Sequence, residues 1–107
     1  MAWIVETLNA TVDREIEALP MDMQAYLTRI VGLVEAYGLD QVHGPYVKHL
    51  QGPLWEMRLK GRAGIARAVY VTAIGQRVVI VRAFVKKTQK TPRKELELAM
   101  ARAKEVQ

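Results

Sequence analysis

Hydrophobic and polar positions change period several times along this chain, and each change predicts an element. Residues Trp3 to Leu8 are apolar and partly β-branched, which reads as a short first strand. Thr11 is then placed to cap a short helix, with Val12, Ile16 and Leu19 on one face and Pro20 ending it. A longer helix follows, about Asp22 to Tyr37. Its stripe is Met23, Tyr26, Leu27, Ile30, Leu33, Val34 and Tyr37, and Gly38 is its C-terminal cap. So short a separation makes the two helices an antiparallel hairpin.

Gly44-Pro45 and Gly52-Pro53 bracket a connecting segment that holds Val47-Lys48-His49-Leu50. Leu54 to Lys60 alternates. Trp55, Met57 and Leu59 point one way, and Glu56, Arg58 and Lys60 the other. Gly61-Arg62-Ala63-Gly64 is a turn, Ile65 to Ala73 a strand, and Gly75-Gln76 lies in the next turn. Arg77 to Val85 is apolar on both faces, which suggests a central strand. Short turns make these three strands an antiparallel meander. Pro92 to Val106 is a closing helix with Leu96, Ala99, Met100 and Ala103 inward. The expected order is β-α-α-β-β-β-α, a small α+β domain with a helical hairpin and a C-terminal helix on a twisted, mainly antiparallel sheet. At 107 residues it is one domain, 1–107.

Charge sharpens the picture. Residues 1–43 carry Arg14 and Arg29 against seven acids, whereas residues 44–94 carry twelve Lys/Arg and one acid, Glu56. The net charge of +5 thus hides a basic part and an acidic part. One-sided basic charge is the electrostatic footprint of nucleic-acid binding, and equally that of a solvated sheet face. The chain has no cysteine, hence no disulfide or thiol chemistry, which is compatible with a reducing cytosol. The first residues lack the cationic start of a signal peptide, and no apolar stretch approaches the roughly 20 residues of a membrane span. A membrane partner is not expected, and a cytoplasmic location is.

The candidate chemistry gathers at strand ends. Arg82-Ala83-Phe84-Val85-Lys86-Lys87-Thr88-Gln89-Lys90-Thr91-Pro92 leads from a buried strand through a basic tip to a helix start. Arg58, Arg67, Arg82, Phe84 and Lys86, with Lys87 and Lys90 beyond and Lys48, His49 and Lys60 nearby, can converge on one sheet face. Such a face suits RNA cleavage by the RNA's own 2′-hydroxyl. Arginines are fixed, planar phosphate donors, and a lysine crowded by cations trades protons nearer neutral pH. Glu56 and His49 are further proton-transfer candidates. Phe84 is either a stacking platform for a base or core, and Arg58 and Arg67 are either site residues or mere surface or cross-strand partners of Glu56. Trp55 and Met57 read most simply as core. His43 and His49, six apart with no cysteine or acid cluster, make no metal site, and no cofactor is expected.

The run Phe84–Pro92 resembles the signature of the HigB-like, phage-derived branch of the RelE/ParE toxin superfamily. Leu54-Trp55-Glu56-Met57-Arg58, preceded by Lys48-His49-Leu50, resembles its second-strand motif. Arg67 with Val69-Tyr70 resembles its third-strand arginine and aromatic. The resemblance implies the toxin of a type II toxin–antitoxin pair. Relatives of the RelE kind cut messenger RNA on the ribosome without metal. They are held inactive by an antitoxin, here a helix-turn-helix protein of HigA type, through which alone operator DNA would be met. By position, Arg58 and Arg67 would hold the phosphate, and Lys86, Lys87 and Lys90 would line the scissile bond. Glu56 sits where some relatives have a basic residue, a departure that leaves open which group is the general base. ParE relatives bind gyrase instead, so a non-enzymatic toxin, or an inactive homologue acting as co-repressor, is the alternative.

Overall fold

The computed structural model describes residues 2–42, 44–87 and 90–107. His43 and the Thr88-Gln89 part of the signature lie outside the described residues. The strands are β1 (Ile4–Thr7), β2 (Val47–Gln51), β3 (Leu54–Gly61), β4 (Gly64–Ala73) and β5 (Arg77–Lys86). The helices are α1 (Ala10–Glu17), α2 (Met21–Tyr37) and α3 (Arg93–Ala103), with one 3-10 turn at Leu39–Gln41. The sheet order is β1-β5-β4-β3-β2. β1 runs parallel to β5, and the other neighbours are antiparallel. β5 is therefore internal, as its two apolar faces require. No described helix is long and apolar enough to cross a membrane.

The α+β order is as expected, and the structure adds to it. The segment read as a connection contributes the edge strand β2. Asn9, not Thr11, caps α1, accepting a hydrogen bond from the Val12 amide at 3.1 Å. Tyr37, expected to close the α2 stripe, is the last residue of the helix and is 69% exposed. Trp55 is 39% exposed rather than core, lying between Tyr70 of β4 and His49 of the edge strand β2.

Two apolar layers sandwich the sheet. On one side, Val12, Met23, Leu27, Ile30 and Val34 of α1 and α2 pack on Met57, Leu59, Ala66, Ala68, Tyr70, Val78 and Ile80. Gly61 lets α2 approach, for a Cβ there would meet Asp22 and Met23 at 2.8 Å. Asp22 also accepts from the Arg62 amide at 2.7 Å, which ties the β3–β4 turn to the start of α2. On the other side, Ala99 of α3 packs on Leu54, Val69, Val71, Val79 and Val81, with Leu96, Met100 and Ala103 around it as expected.

A bulge in β5 decides what shares a face. Val69 lies opposite Arg82 and Tyr70 opposite Ile80, so Val81 is the extra residue. Before the bulge, Val78 and Ile80 face α1 and α2. One inserted residue inverts the alternation, so Arg82 and Phe84 emerge on the α3 side while Ala83 turns to the other.

Candidate functional site, a cationic sheet face

Register assembles the site across four strands. Arg58 of β3 lies opposite Arg67 of β4, which lies opposite Phe84 of β5. The next row is Lys60, Ile65 and Lys86, and the row before runs Lys48, Glu56, Val69 and Arg82. The sheet therefore brings Lys48, Glu56, Arg58, Lys60, Arg67, Arg82, Phe84 and Lys86 onto one face. The pleat supplies the common direction, and the bulge brings β5 into phase.

The pairs within this face are specific. Arg67 is 2% exposed and Glu56 fully buried, and Arg67 Nη1 is ion-paired with Glu56 Oε2. Burial lowers the Arg67 pKa from its ordinary value. Thr91 Oγ1 donates to Glu56 Oε1 at 3.1 Å. Thr91 had been read only as part of a helix start. Its hydroxyl is not used on α3, whose N-cap is Pro92 with no side-chain bond. Arg67 is thus no surface cation, because Glu56 draws it into the protein.

Lys86 is held below the usual lysine range. Burial is the main cause, followed by the charges of Arg67, Arg58 and Lys48. Crowding by cations was the sequence expectation for this residue, and desolvation adds to it. Lys87 and Lys90 are exposed on the segment beyond β5. Lys48, Leu50, Glu56, Arg67, Lys90, Thr91 and Leu96 border a cavity of about 230 Å³.

Two proposed RNA contacts are otherwise engaged. Arg82 bonds bidentately to Glu95 of α3, Nε to Oε1 at 2.8 Å and Nη2 to Oε2 at 3.0 Å, and reaches Glu15 of α1 at 3.0 Å. These acids raise its pKa. Arg102 meets the same Glu15 at 2.9 Å and donates to the Val81 carbonyl at 2.9 Å, while Glu15 accepts from the Ala83 amide at 3.2 Å. Arg82 is thereby a clamp on the bulge, joining α1, β5 and α3. His49 borders the cavity, but register pairs it with Trp55, and its ring lies edge-on to that indole with centroids 4.9 Å apart. Its Nε2 is 2.9 Å from the Gly52 carbonyl.

Phe84 serves both readings. It is half-buried against the α3 layer, and the Arg82 guanidinium lies 5.5 Å from its centroid. Tyr70, the aromatic of the third-strand motif, is on the opposite face, and burial pushes its hydroxyl up to about 12. A larger cavity of about 410 Å³ opens beside it, lined by Trp3, Leu39, Asp40, Val42, Val47 and Trp55 among others. Its described lining includes no cation, whereas Lys48, Arg67 and Lys90 border the smaller one.

Residues 14–104 match the family model described as Phage derived protein Gp49-like (DUF891). The chain belongs to this family. Among solved structures, a chain of the archaeal RelE–RelB complex from Pyrococcus horikoshii OT3 superposes with a TM-score of 0.61 at 16% identity, covering 81% of this chain and 98% of that one. Comparison with curated proteins gives no match. The Gp49-like family and the RelE-like fold together bear out the resemblance to the RelE/ParE superfamily.

Proposed function

We propose that this Gp49-like protein is the toxin of a type II toxin–antitoxin pair, of the HigB branch, and cuts messenger RNA on the ribosome in the cytoplasm. The observation that carries the reading is the row Arg58–Arg67–Phe84 with Lys86 one step beyond and Lys48 flanking. Fixed guanidiniums, an amine with a lowered pKa and an aromatic ring occupy one face. In the reaction, neutral Lys86 accepts the 2′-hydroxyl proton. The 2′-oxygen bonds to phosphorus, the bond to the 5′-oxygen breaks, and Lys87 or Lys90 protonates that oxygen. Arg58 and Arg67 offset the charge that builds on the phosphate. The products are a 2′,3′-cyclic phosphate, or the 3′-phosphate it hydrolyses to, and a 5′-hydroxyl.

Glu56 is reassigned within this reading. With its carboxylate fully buried, paired to Arg67 and bonded to Thr91, it positions Arg67 rather than taking the 2′ proton. The donors on this face are otherwise arginines and lysines, which suit phosphate and not metal ions. A protein antitoxin is the expected partner, the RelE neighbour having been crystallised with RelB, and the helix-turn-helix type is what the resemblance of Phe84–Pro92 implies.

The deciding experiment adds the protein to ribosomes programmed with messenger RNA and maps the ends in the presence of a strong chelator. Cleavage is expected to persist, with a 5′-hydroxyl, and to fail on a message with 2′-methoxy sugar at the cut. Cutting of that message, or inhibition by chelator, would overturn the mechanism.

One observation favours a second reading. Arg67 already has a carboxylate partner, which would suit a homologue without activity that acts with its antitoxin as a repressor. Normal growth after induction of soluble, folded protein would select that reading.

A further inference from the structure

Arg67 is the most buried cation of the face, and it is incompletely served. Nη1 pairs with Glu56, while Nε is buried with no hydrogen-bond partner among the described residues. A buried guanidinium donor without an acceptor is costly, and such groups in native proteins call for an explanation. The residue that carries this unserved donor is among those lining the 230 Å³ cavity that Lys48, Lys90 and Thr91 also border. Three cations and one acid line it, and the acid is the Arg67 partner itself.

We infer that this cavity is a site for one phosphate group and that the Glu56 carboxylate is its built-in competitor. The inference rests on the phosphodiester reading above and deepens it. Carboxylate and phosphate are rivals for a guanidinium because each offers oxygens that match its planar fork. The carboxylate engages one edge of Arg67 and leaves Nε without an acceptor. A phosphate has more oxygens, so it can serve Arg67 and also meet Lys48 and Lys90. As phosphate enters, Glu56 yields the guanidinium and keeps the Thr91 hydroxyl. Thr91 stands one residue before the N-cap of α3, so occupancy of the site is felt at the start of that helix. Glu56 sets a threshold. A lone anion competes poorly, whereas an RNA strand held also by Arg58 and Lys86 displaces the carboxylate.

The test compares wild type, Glu56→Gln, Arg67→Lys and the double variant, using inorganic phosphate and a uridine hexanucleotide with 2′-methoxy sugars. Binding is followed by calorimetry and by the rise in thermal midpoint that a ligand of the folded state produces. Glu56→Gln keeps an acceptor for Thr91 and removes the competing charge. It is expected to bind both probes at least about tenfold tighter, a change of about 1.4 kcal/mol. The gain should largely vanish when Arg67→Lys is added. Equal or weaker binding by folded Glu56→Gln overturns the inference, as does a gain that survives Arg67→Lys in full. If Glu56→Gln does not fold, the wild type decides. Phosphate should then move the NMR signals of the Glu56 carboxyl carbon and Arg67 Nε together, and movement of the Lys48 signals alone overturns the inference. None of these readouts involves cleavage. Tighter binding by Glu56→Gln beside a wild type that cuts nothing supports the phosphate site and removes the ribonuclease reading. Cleavage by wild type without a binding gain in Glu56→Gln does the reverse.

Discussion

Arg67 pairs with Glu56, its diagonal neighbour, and not with the residue opposite it. The opposing position on β3 is Arg58, and Glu56 lies opposite Val69, two residues further along β4. Two arginines opposed across strands repel. The diagonal carboxylate offsets that repulsion and draws one of the two into the protein, leaving Arg58 half-exposed while Arg67 is 2% exposed. A functional substitution at this pair is therefore also a structural one.

Arg67→Ala is expected to destabilise the protein by about 3–5 kcal/mol, because it leaves the fully buried Glu56 carboxylate unpaired. That is a large part of the roughly 5–15 kcal/mol that holds a domain together. Buried and paired, Arg67 is a cross-strand partner of Glu56 and not the surface residue that its sequence also allowed. Urea unfolding measures it. Replacing the pair together, Arg67→Met with Glu56→Leu, should restore most of the loss. A cost under about 1 kcal/mol for Arg67→Ala would mean that the pair is solvated in solution.

Cleavage should rise with pH toward the Lys86 pKa and level off above it. The amine must be deprotonated to act as the base, and burial with the Arg67, Arg58 and Lys48 charges holds its pKa below 10.5. Lys48→Ala removes one of those charges and should move the midpoint of the pH–rate profile upward. Lys86→Arg, which cannot shed its proton at such pH, should lose rate on the order of 100- to 10,000-fold while still binding RNA. An unchanged profile in Lys48→Ala together with full activity in Lys86→Arg would take Lys86 out of the reaction.

Glu15→Ala should lower stability by about 1–3 kcal/mol although it lies outside the cationic rows. It removes the acceptor shared by Arg102 and the Ala83 amide, and one of the two carboxylates on Arg82. Thermal unfolding gives the size. Amide exchange at Ala83 should quicken in the variant, and unaltered exchange there would show that the bulge holds without the clamp.

Binding to RNA or ribosomes should weaken steeply with salt. Each phosphate neutralised adds roughly 0.7–0.9 to the slope of log affinity against log salt. Arg58, Lys60, Lys86, Lys87 and Lys90 make a slope of several units the expectation, whereas Arg82, held by Glu95 and Glu15, should change it little when substituted. A flat response would indicate an apolar protein target, as for a ParE-like toxin.

The sequence by itself determined the elements. Alternation in β3, the apolar run in β5 and the 3.6-residue stripes of α1, α2 and α3 are local patterns, and each led to an element within a few residues of the observed one. It also placed Arg58, Arg67 and the terminal lysines in one candidate site, because residues two apart on a strand share a face. Only the tertiary structure decided how those residues are used. Edge strand β2 has one sheet neighbour and an irregular register, so its pattern is weak in sequence. The bulge at Val81 inserts a residue without breaking the apolar run, so no local signal reveals that Arg82 and Phe84 change faces there. The Arg67–Glu56 pair, the Thr91 bond and the Glu15 clamp join residues 11 to 87 positions apart. Partnerships at that distance depend on where the sheet and helices bring the charges together, and on burial, which makes an unmatched charge costly.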